Sequence, residues 1–389
     1  MSSPAALRIV RSAPAFREQL EIDTDLKSTH SLHQGVVFPF DMPAAVANYL
    51  VQRFTSREGL VLDPFAGSGS ALLEAALLGR IAVGAETDPL GSRIAHAKLL
   101  PSDLTEVTLA LQLLNLRRPV DLKMFRDCFT PFFDLETFRE IVNLRAALQS
   151  RDDPVHRFIE FVAMSILHGH TVSFLSTYTF PQVSVSPEEQ VSINRKRQQQ
   201  PEYRAVAPRL LRKTAALLRD GIPSVARAHM KRHVMRRADP RDLEFVEPSS
   251  VQLLMTAPPT PFQADVRSDL WLRYWFSGTE APTTEQFHQG SDLVDWVDYM
   301  NEVLLEGARV VTARGRAVFD LPEVRVRDRE YALDEILADS VQANLSRFWE
   351  VEGILIYRKR SAKQRDCIRG GGQVPFGDSN RILVLKRRA

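Results

Sequence analysis

No stretch of this 389-residue chain approaches the roughly 20 consecutive apolar residues that a membrane-crossing helix needs. Its first residues hold no basic region followed by an apolar run and a cleavage site, so no secretory leader is expected. Cysteine is scarce. Cys128 and Cys367 are far apart and lack metal-ligand spacing, so free thiols of a cytoplasmic protein are expected rather than a bridge. A dominant charge sign is missing too, because the formal net charge is only +2. His168 and His170 lie close in sequence, but without a third ligand nearby they make a weak zinc site. There is no G-x-S-x-G elbow, no H-E-x-x-H and no G-K-(S/T) phosphate loop, which argues against the hydrolase, zinc-protease and P-loop chemistries those motifs carry. Internal repeats and long low-complexity tracts are also lacking.

What is present is concentrated in residues 61–88. An apolar strand, Leu60 to Leu62, runs into Asp63-Pro64-Phe65 and the small-residue loop Ala66-Gly67-Ser68-Gly69-Ser70. A helix with apolar Leu72, Leu73, Ala76 and Leu77 follows and stops at Gly79. A second strand, Ile81 to Ala85, ends at Glu86. In such a β–loop–α–β–acid unit the glycines let backbone approach a ligand at the strand's carboxyl end. The acid about 20 residues on can grip a ribose diol.

The remaining pattern predicts helices over Pro43–Phe54 and Gly91–Leu99. Apolar spacing near 3.6 recurs through Leu104–Leu114, Leu135–Leu148, Val155–Leu167 and Val206–Leu218. Strands are expected at Val251–Met255, Arg316–Leu321, Trp349–Tyr357 and Arg381–Leu385, with a helix over Asp298–Val311. The expected organisation is a loose arm over 1–28, a first core half over 29–101, a helical insertion over 102–235 and a second core half over 236–389. Positive charge gathers between Arg195 and Arg241. Arg195, Lys196, Arg197, Arg212, Lys213, Lys231 and Arg232 are its candidate phosphate contacts, with a solvated helix face as the alternative.

The series D-P-F-x-G-S-G-(S/T), E-A-A-x-x-G-R and G-x-(D/E)-x-(D/N)-P-L, all found between Asp63 and Leu90, resembles the cofactor region of the amino-methyltransferases of DNA. The resemblance implies an α/β fold, a Rossmann-like methyltransferase sheet closed by an antiparallel hairpin around the turn Gly370-Gly371-Gly372. It implies S-adenosylmethionine as cofactor, DNA as partner and a restriction or regulatory protein partner. The helical insertion is then the target-recognition region. Phe38, Asp63, Phe65, Gly67, Ser68, Gly69, Glu86 and Asp239 are the implied cofactor residues.

In that family a (D/N/S)-P-P-(Y/F/W) motif holds the acceptor amine and stacks on the flipped base. Its counterpart here is Thr256-Ala257-Pro258-Pro259-Thr260-Pro261-Phe262. Pro258, Pro259 and Phe262 are the implied catalytic-site residues. Ala257 stands where serine accepts a hydrogen bond, and Thr260 stands where tyrosine stacks. His30-Ser31-Leu32-His33 with Phe38-Pro39 resembles an element ahead of the loop in one branch, with Gln34 and Gly35 replacing Pro-Tyr and Val37 replacing a base. Leu167-His168-Gly169-His170, Leu175-Ser176 and Ser184-Val185-Ser186-Pro187 resemble another element of that branch, expected to line the DNA cleft, and the irregular stretch Thr171–Pro187 carries Phe174, Tyr178 and Phe180. Asp265 and Trp275 continue the segment after the prolines. The implied reaction is methyl transfer to an exocyclic amine of DNA, cytosine N4 ahead of adenine N6, slow or partner-dependent. Two alternatives stand beside it: a catalytically silent DNA-binding or regulatory subunit, and an RNA guanine-N2 methyltransferase.

Overall fold

The computed structural model describes residues 14–25, 29–36, 38, 41–179, 184–261, 268–283, 292–326, 329–358 and 379–389. Its strands are β1 (Phe16–Leu20), β2 (Leu60–Asp63), β3 (Ile81–Ala85), β4 (Val234–Arg236), β5 (Val251–Thr256), β6 (Val311–Val326), β7 (Arg329–Ala332), β8 (Trp349–Arg358) and β9 (Ser379–Arg387). Across the sheet they run β1-β8-β9-β6-β5-β2-β3-β4, with β7 paired to β6 off this path. β9 is antiparallel to β8 and β6, and the other pairings along the order are parallel. This is a Rossmann-like methyltransferase sheet with its closing antiparallel strand. The expected turn Gly370–Gly372 lies outside the described residues, as does Cys367, whereas Cys128 is a half-buried free thiol.

Both faces of the sheet are covered, which is why its central strands read as near-continuous apolar runs. Side chains alternate along each strand. Val61, Leu253, Val318 and Val384 enter one apolar cluster with α1 (Ala44–Phe54) and α2 (Ser70–Leu77). Leu62, Leu254, Phe319 and Leu383 enter the other, with Trp296 and Leu304 of α11 (Leu293–Val310) and Leu337 of α12 (Leu333–Asn344). Each such fully buried side chain contributes about 1.5–3 kcal/mol relative to exposure.

After α3 (Pro89–Leu99) the chain leaves the sheet for α4 (Leu104–Gln112), α5 (Leu135–Gln149), α6 (Pro154–Met164), α7 (Pro187–Arg197), α8 (Val206–Leu217) and α9 (Ser224–His229). A third cluster, rich in phenylalanine, holds much of this helical block together. Arg93 of α3 grips buried Glu160 of α6 through Nε and Nη2, at 2.9 and 3.0 Å. Arg157 reaches His96 one turn away at 2.8 Å. These pairs make α3 and α6 antiparallel. Because α3 starts at the carboxyl edge of the sheet, α6 ends there.

Two expectations need correction. Residues 16–20 are not part of a loose arm: β1 pairs in register with β8, Phe16 opposite Gly353 through Leu20 opposite Tyr357. Leu270, Leu272, Tyr274 and Phe276, expected in the second core half, pack into the helical block through α10 (Trp271–Ser277). Short-range periodicity cannot report either long-range pairing.

Candidate active site

The strand order reverses direction between β2 and β5, and ligands of open α/β sheets sit outside the carboxyl ends of the strands at such a point. The glycine loop follows β2, and Ala257-Pro258-Pro259 follows β5, so the sheet brings both to one crevice.

Glu86, at the end of β3, turns back on the glycine loop. Its Oε2 accepts from Gly67 N at 2.7 Å and its Oε1 from Asp88 N at 2.9 Å. Burial pushes its carboxyl up to about 7. Asp63 is likewise buried, accepts from Phe65 N at 3.1 Å, and is pushed up to about 7 by burial. Ser68 is buried in a polar knot that sequence reasoning missed. Asp41 accepts from Ser68 N at 3.1 Å, from the Ser68 hydroxyl and from Phe38 N at 3.1 Å. Lys98 donates to Ser68 Oγ at 2.7 Å, and burial lowers its ammonium to about 8. The one signal for Lys98 is a lysine four residues after Ile94 on the apolar face of α3.

The glycines are needed for a reason that the sequence did not show. Both have positive φ, +51° at Gly67 and +78° at Gly69. A Cβ on Gly67 would stand 2.6 Å from Asp41 Oδ1, and one on Gly69 would stand 2.9 Å from the Ala95 backbone. The close neighbours are protein atoms from the segment before α1 and from α3. Gly91 plays a third such part: a Cβ there would meet Gly67 O at 3.0 Å, Glu86 Cγ at 3.1 Å and the Phe38 ring at 3.2 Å. Phe38, Gly67 and Glu86 therefore converge. On the far side, Phe65 meets Tyr299 of α11 with ring centroids 6.0 Å apart, and Arg241 stacks on Tyr299 at 5.1 Å. Asp239 pairs with Arg241 at 2.8 Å, which holds its carboxyl low, while burial raises the Tyr299 hydroxyl.

In the proline loop, Trp296 Nε1 donates to Pro259 O at 2.8 Å, and Pro258 is buried. Phe262 and Asp265 lie outside the described residues, as do Val37, Pro39 and Phe180. Past the prolines, Tyr274 of α10 donates to Asp88 at 2.9 Å, two residues beyond Glu86.

Of the singled-out histidines, His30, His33 and His168 are bonded or buried, and His170 is exposed with its ring 5.9 Å from that of Phe174. His30 caps the turn Ser31–Gln34 and contacts Gly221 O at 2.7 Å. His33 bonds Glu74 at 2.7 Å, and burial lowers its pKa. His168 is buried and driven well below its ordinary pKa by burial. Among the described residues no group of His, Cys, Asp and Glu could hold a metal, and no helix is long and apolar enough to cross a membrane.

The basic segment is not one stripe. Arg195, Lys196 and Arg197 form the exposed last turn of α7, with Arg197 stacked 3.6 Å over Tyr178. Arg212 is exposed on α8. Lys213 is a different case: its Nζ donates to Gln34 O at 2.8 Å and burial lowers its pKa, so it is committed to packing. Lys231 and Arg232 are exposed, but Arg232 pairs at 3.6 Å with Glu58, just before β2 begins, at the opposite edge of the sheet. Proximity in sequence misled here because α8 and α9 separate these groups and bring the chain to the start of β4, at the amino edge of the sheet.

Sheet order, reversal point and glycine loop together define the class as a methyltransferase-type α/β fold. The family described as DNA methylase, N6_N4_Mtase, matches residues 20–96. No curated protein matches the chain. Among solved structures it is similar to TTHA0409 of Thermus thermophilus, a candidate DNA modification methylase, with 18% identity over 39% of this chain and 51% of that one, at a TM-score of 0.24. It is also similar to TrmN from Thermus thermophilus, with 13% identity over 89% and 49% and a TM-score of 0.29. The rRNA methyltransferase aviRa from Streptomyces viridochromogenes gives 12% identity over 90% and 88%, with a TM-score of 0.28. The chain thus spans about half the length of the first two, and the fold is read from its own strand order.

Proposed function

We propose that the chain transfers a methyl group from S-adenosylmethionine to an exocyclic amino group of DNA, cytosine N4 ahead of adenine N6. The observation that carries this reading is the placement of the glycine loop and the proline loop at the carboxyl ends of adjacent strands, where one ligand can touch both.

The residues present fit the cofactor. Glu86 is a buried carboxylate already receiving backbone N–H donors, an environment suited to a donating ribose diol. Phe65, with Tyr299 and Asp239 beyond it, offers an aromatic and acidic side for adenine. Phe38 closes the other side of the loop. When bound, the cofactor supplies an electrophilic methyl on a sulfonium that leaves as a neutral thioether. The amine forms the new nitrogen–carbon bond as the sulfur–carbon bond breaks, and its surplus proton passes to solvent.

The chain's own task is to localise the amine's lone pair and align it with the methyl. We assign that task to the backbone carbonyl of Pro258, with Trp296 fixing the next carbonyl so that the loop keeps its shape. Ala257 supplies no side-chain acceptor and Thr260 no ring, so transfer is slow or dependent on a partner. Those two residues also favour a second reading, a silent DNA-binding or regulatory subunit.

Tritium transfer from labelled cofactor to mixed-sequence DNA under single-turnover conditions separates the two. Slow incorporation is expected, well below about 1 per second, and Ala257→Ser with Thr260→Tyr should raise it. No incorporation by either protein would rule out slow unaided transfer and favour the silent reading. Incorporation by wild type with no gain in the double variant would show that this loop is not the base site.

A further inference from the structure

The segment that leaves α6 at the carboxyl edge of the sheet is a closed, stapled loop. Gly169 and Tyr178 form a bridge at its neck, and Thr179 N donates to Gly169 O at 3.0 Å. The Phe174 ring occupies the space that a Cβ on Gly169 would need, so the loop is packed against its own neck. Two arginines beside and within α8 hold its backbone. Arg204 Nη1 donates to the carbonyls of Phe174, at 3.0 Å, and of Ser176, with Thr171 O at 3.4 Å. Arg209 Nε donates to Val172 O at 3.2 Å. All three Arg204 bonds leave one nitrogen, Nη1, which gathers the carbonyls of the loop around a single donor.

The tip that this framework presents carries one apolar side chain between exposed Thr171 and Ser173. Val172 is 76% exposed. A single exposed valine ordinarily needs no explanation. Here the backbone beneath it is fixed by guanidinium groups, and the exposed cations Arg195, Lys196 and Arg197 stand at the neck, the last stacked on Tyr178. A held loop with one exposed apolar side chain, beside the cationic end of α7, fits a polyanion with a stacked apolar interior.

We propose that Val172 is a wedge that enters duplex DNA between base steps while the end of α7 holds phosphates. Apolar side chains inserted in this way unstack a step, and extrusion of a base toward a pocket requires such unstacking. The proposal rests on the DNA reading above and adds a residue outside both site loops.

The test uses the full chain, the cofactor's demethylated product and a mixed-sequence duplex pool. Permanganate reactivity of thymines reports opened steps without a known recognition site. Wild type should raise reactivity in the retained duplexes. Val172→Ser should lower that gain about tenfold with cofactor affinity unchanged, and Val172→Leu should restore it. Arg204→Met keeps a long unbranched side chain but loses the hydrogen bonds that hold the loop. It should match Val172→Ser in opening. Opening by Val172→Ser equal to wild type would overturn the wedge and leave the methyl-transfer reading intact. Failure of wild type to retain any duplex would overturn the DNA reading itself, and the wedge with it.

Discussion

The glycine loop and the proline loop leave adjacent strands at one edge of the sheet, yet they are held by different means. Charged groups from separate elements fix the glycine loop: Glu86 on Gly67, Asp41 on Ser68 and Phe38, Lys98 on Ser68. The proline loop is stiffened by its own rings, whose φ is fixed, and by the Trp296 bond to Pro259. Side-chain charge therefore sets the geometry of the loop proposed to hold cofactor, and backbone stiffness sets that of the loop proposed to hold the base. The first should respond to carboxylate loss and pH, the second to shape.

The largest test of that contrast is Glu86→Ala. Charged hydrogen bonds of this kind contribute about 1.5–3 kcal/mol, so calorimetry should show cofactor binding weakened by that amount. Affinity equal to wild type would erase the distinction between the loops.

Acidity provides the next test. Glu86 and Asp63 both titrate near about 7 in the folded chain, raised by burial. Between their ordinary range and about 7 the folded state holds protons that the unfolded state has lost. Their contribution to stability is complete below the ordinary carboxylate range and disappears as pH rises through about 7. Melting of the ligand-free protein should rise from pH 8 to pH 5, by ~2 kcal/mol for Glu86, and Glu86→Gln should flatten the profile. Cofactor affinity should run the other way, because the ionised carboxylate accepts both ribose hydroxyls.

On the base side, Trp296→Phe removes the donor to Pro259 O and should cost about 0.5–1.5 kcal/mol. Single-turnover transfer should slow while calorimetry of the cofactor stays unchanged. If cofactor affinity fell in step, the two loops would be one unit.

The smallest expected effect contrasts the two edges of the sheet. Replacing Arg195, Lys196 and Arg197 should reduce the salt slope of DNA binding by about 0.9 per lost phosphate contact. Replacing Lys231 and Arg232 should leave it unchanged. A reversed outcome would move the DNA to the Glu58 edge.

Much of the fold was legible in the sequence because its central unit is local. Strand, loop, helix, strand and Glu86 fall within 30 residues or so, and apolar periodicity marks each piece. The residues missed are those whose partners are remote. Asp41 meets Ser68 only once α1 has packed, and Trp296 meets Pro259 across the length of α11's approach to the sheet. Lys213 looked like any exposed cation until the backbone of Gln34 claimed it. The purpose of Gly69 was hidden too, because Ala95 approaches it from α3.

The edge strand β1 has a practical consequence for truncation. It shields β8, with the Phe16 ring filling the space beside Gly353 and Arg53 joining Glu18 at 2.6 Å while lying over Phe16. A recombinant fragment begun at residue 29, where motif likeness begins, would strip that cover. Ten residues of β8 would then present an unpaired ladder ready to recruit another chain. Deleting the pentapeptide Phe16–Leu20, which carries none of the motifs by which the protein's chemistry is read, should therefore lower the soluble yield.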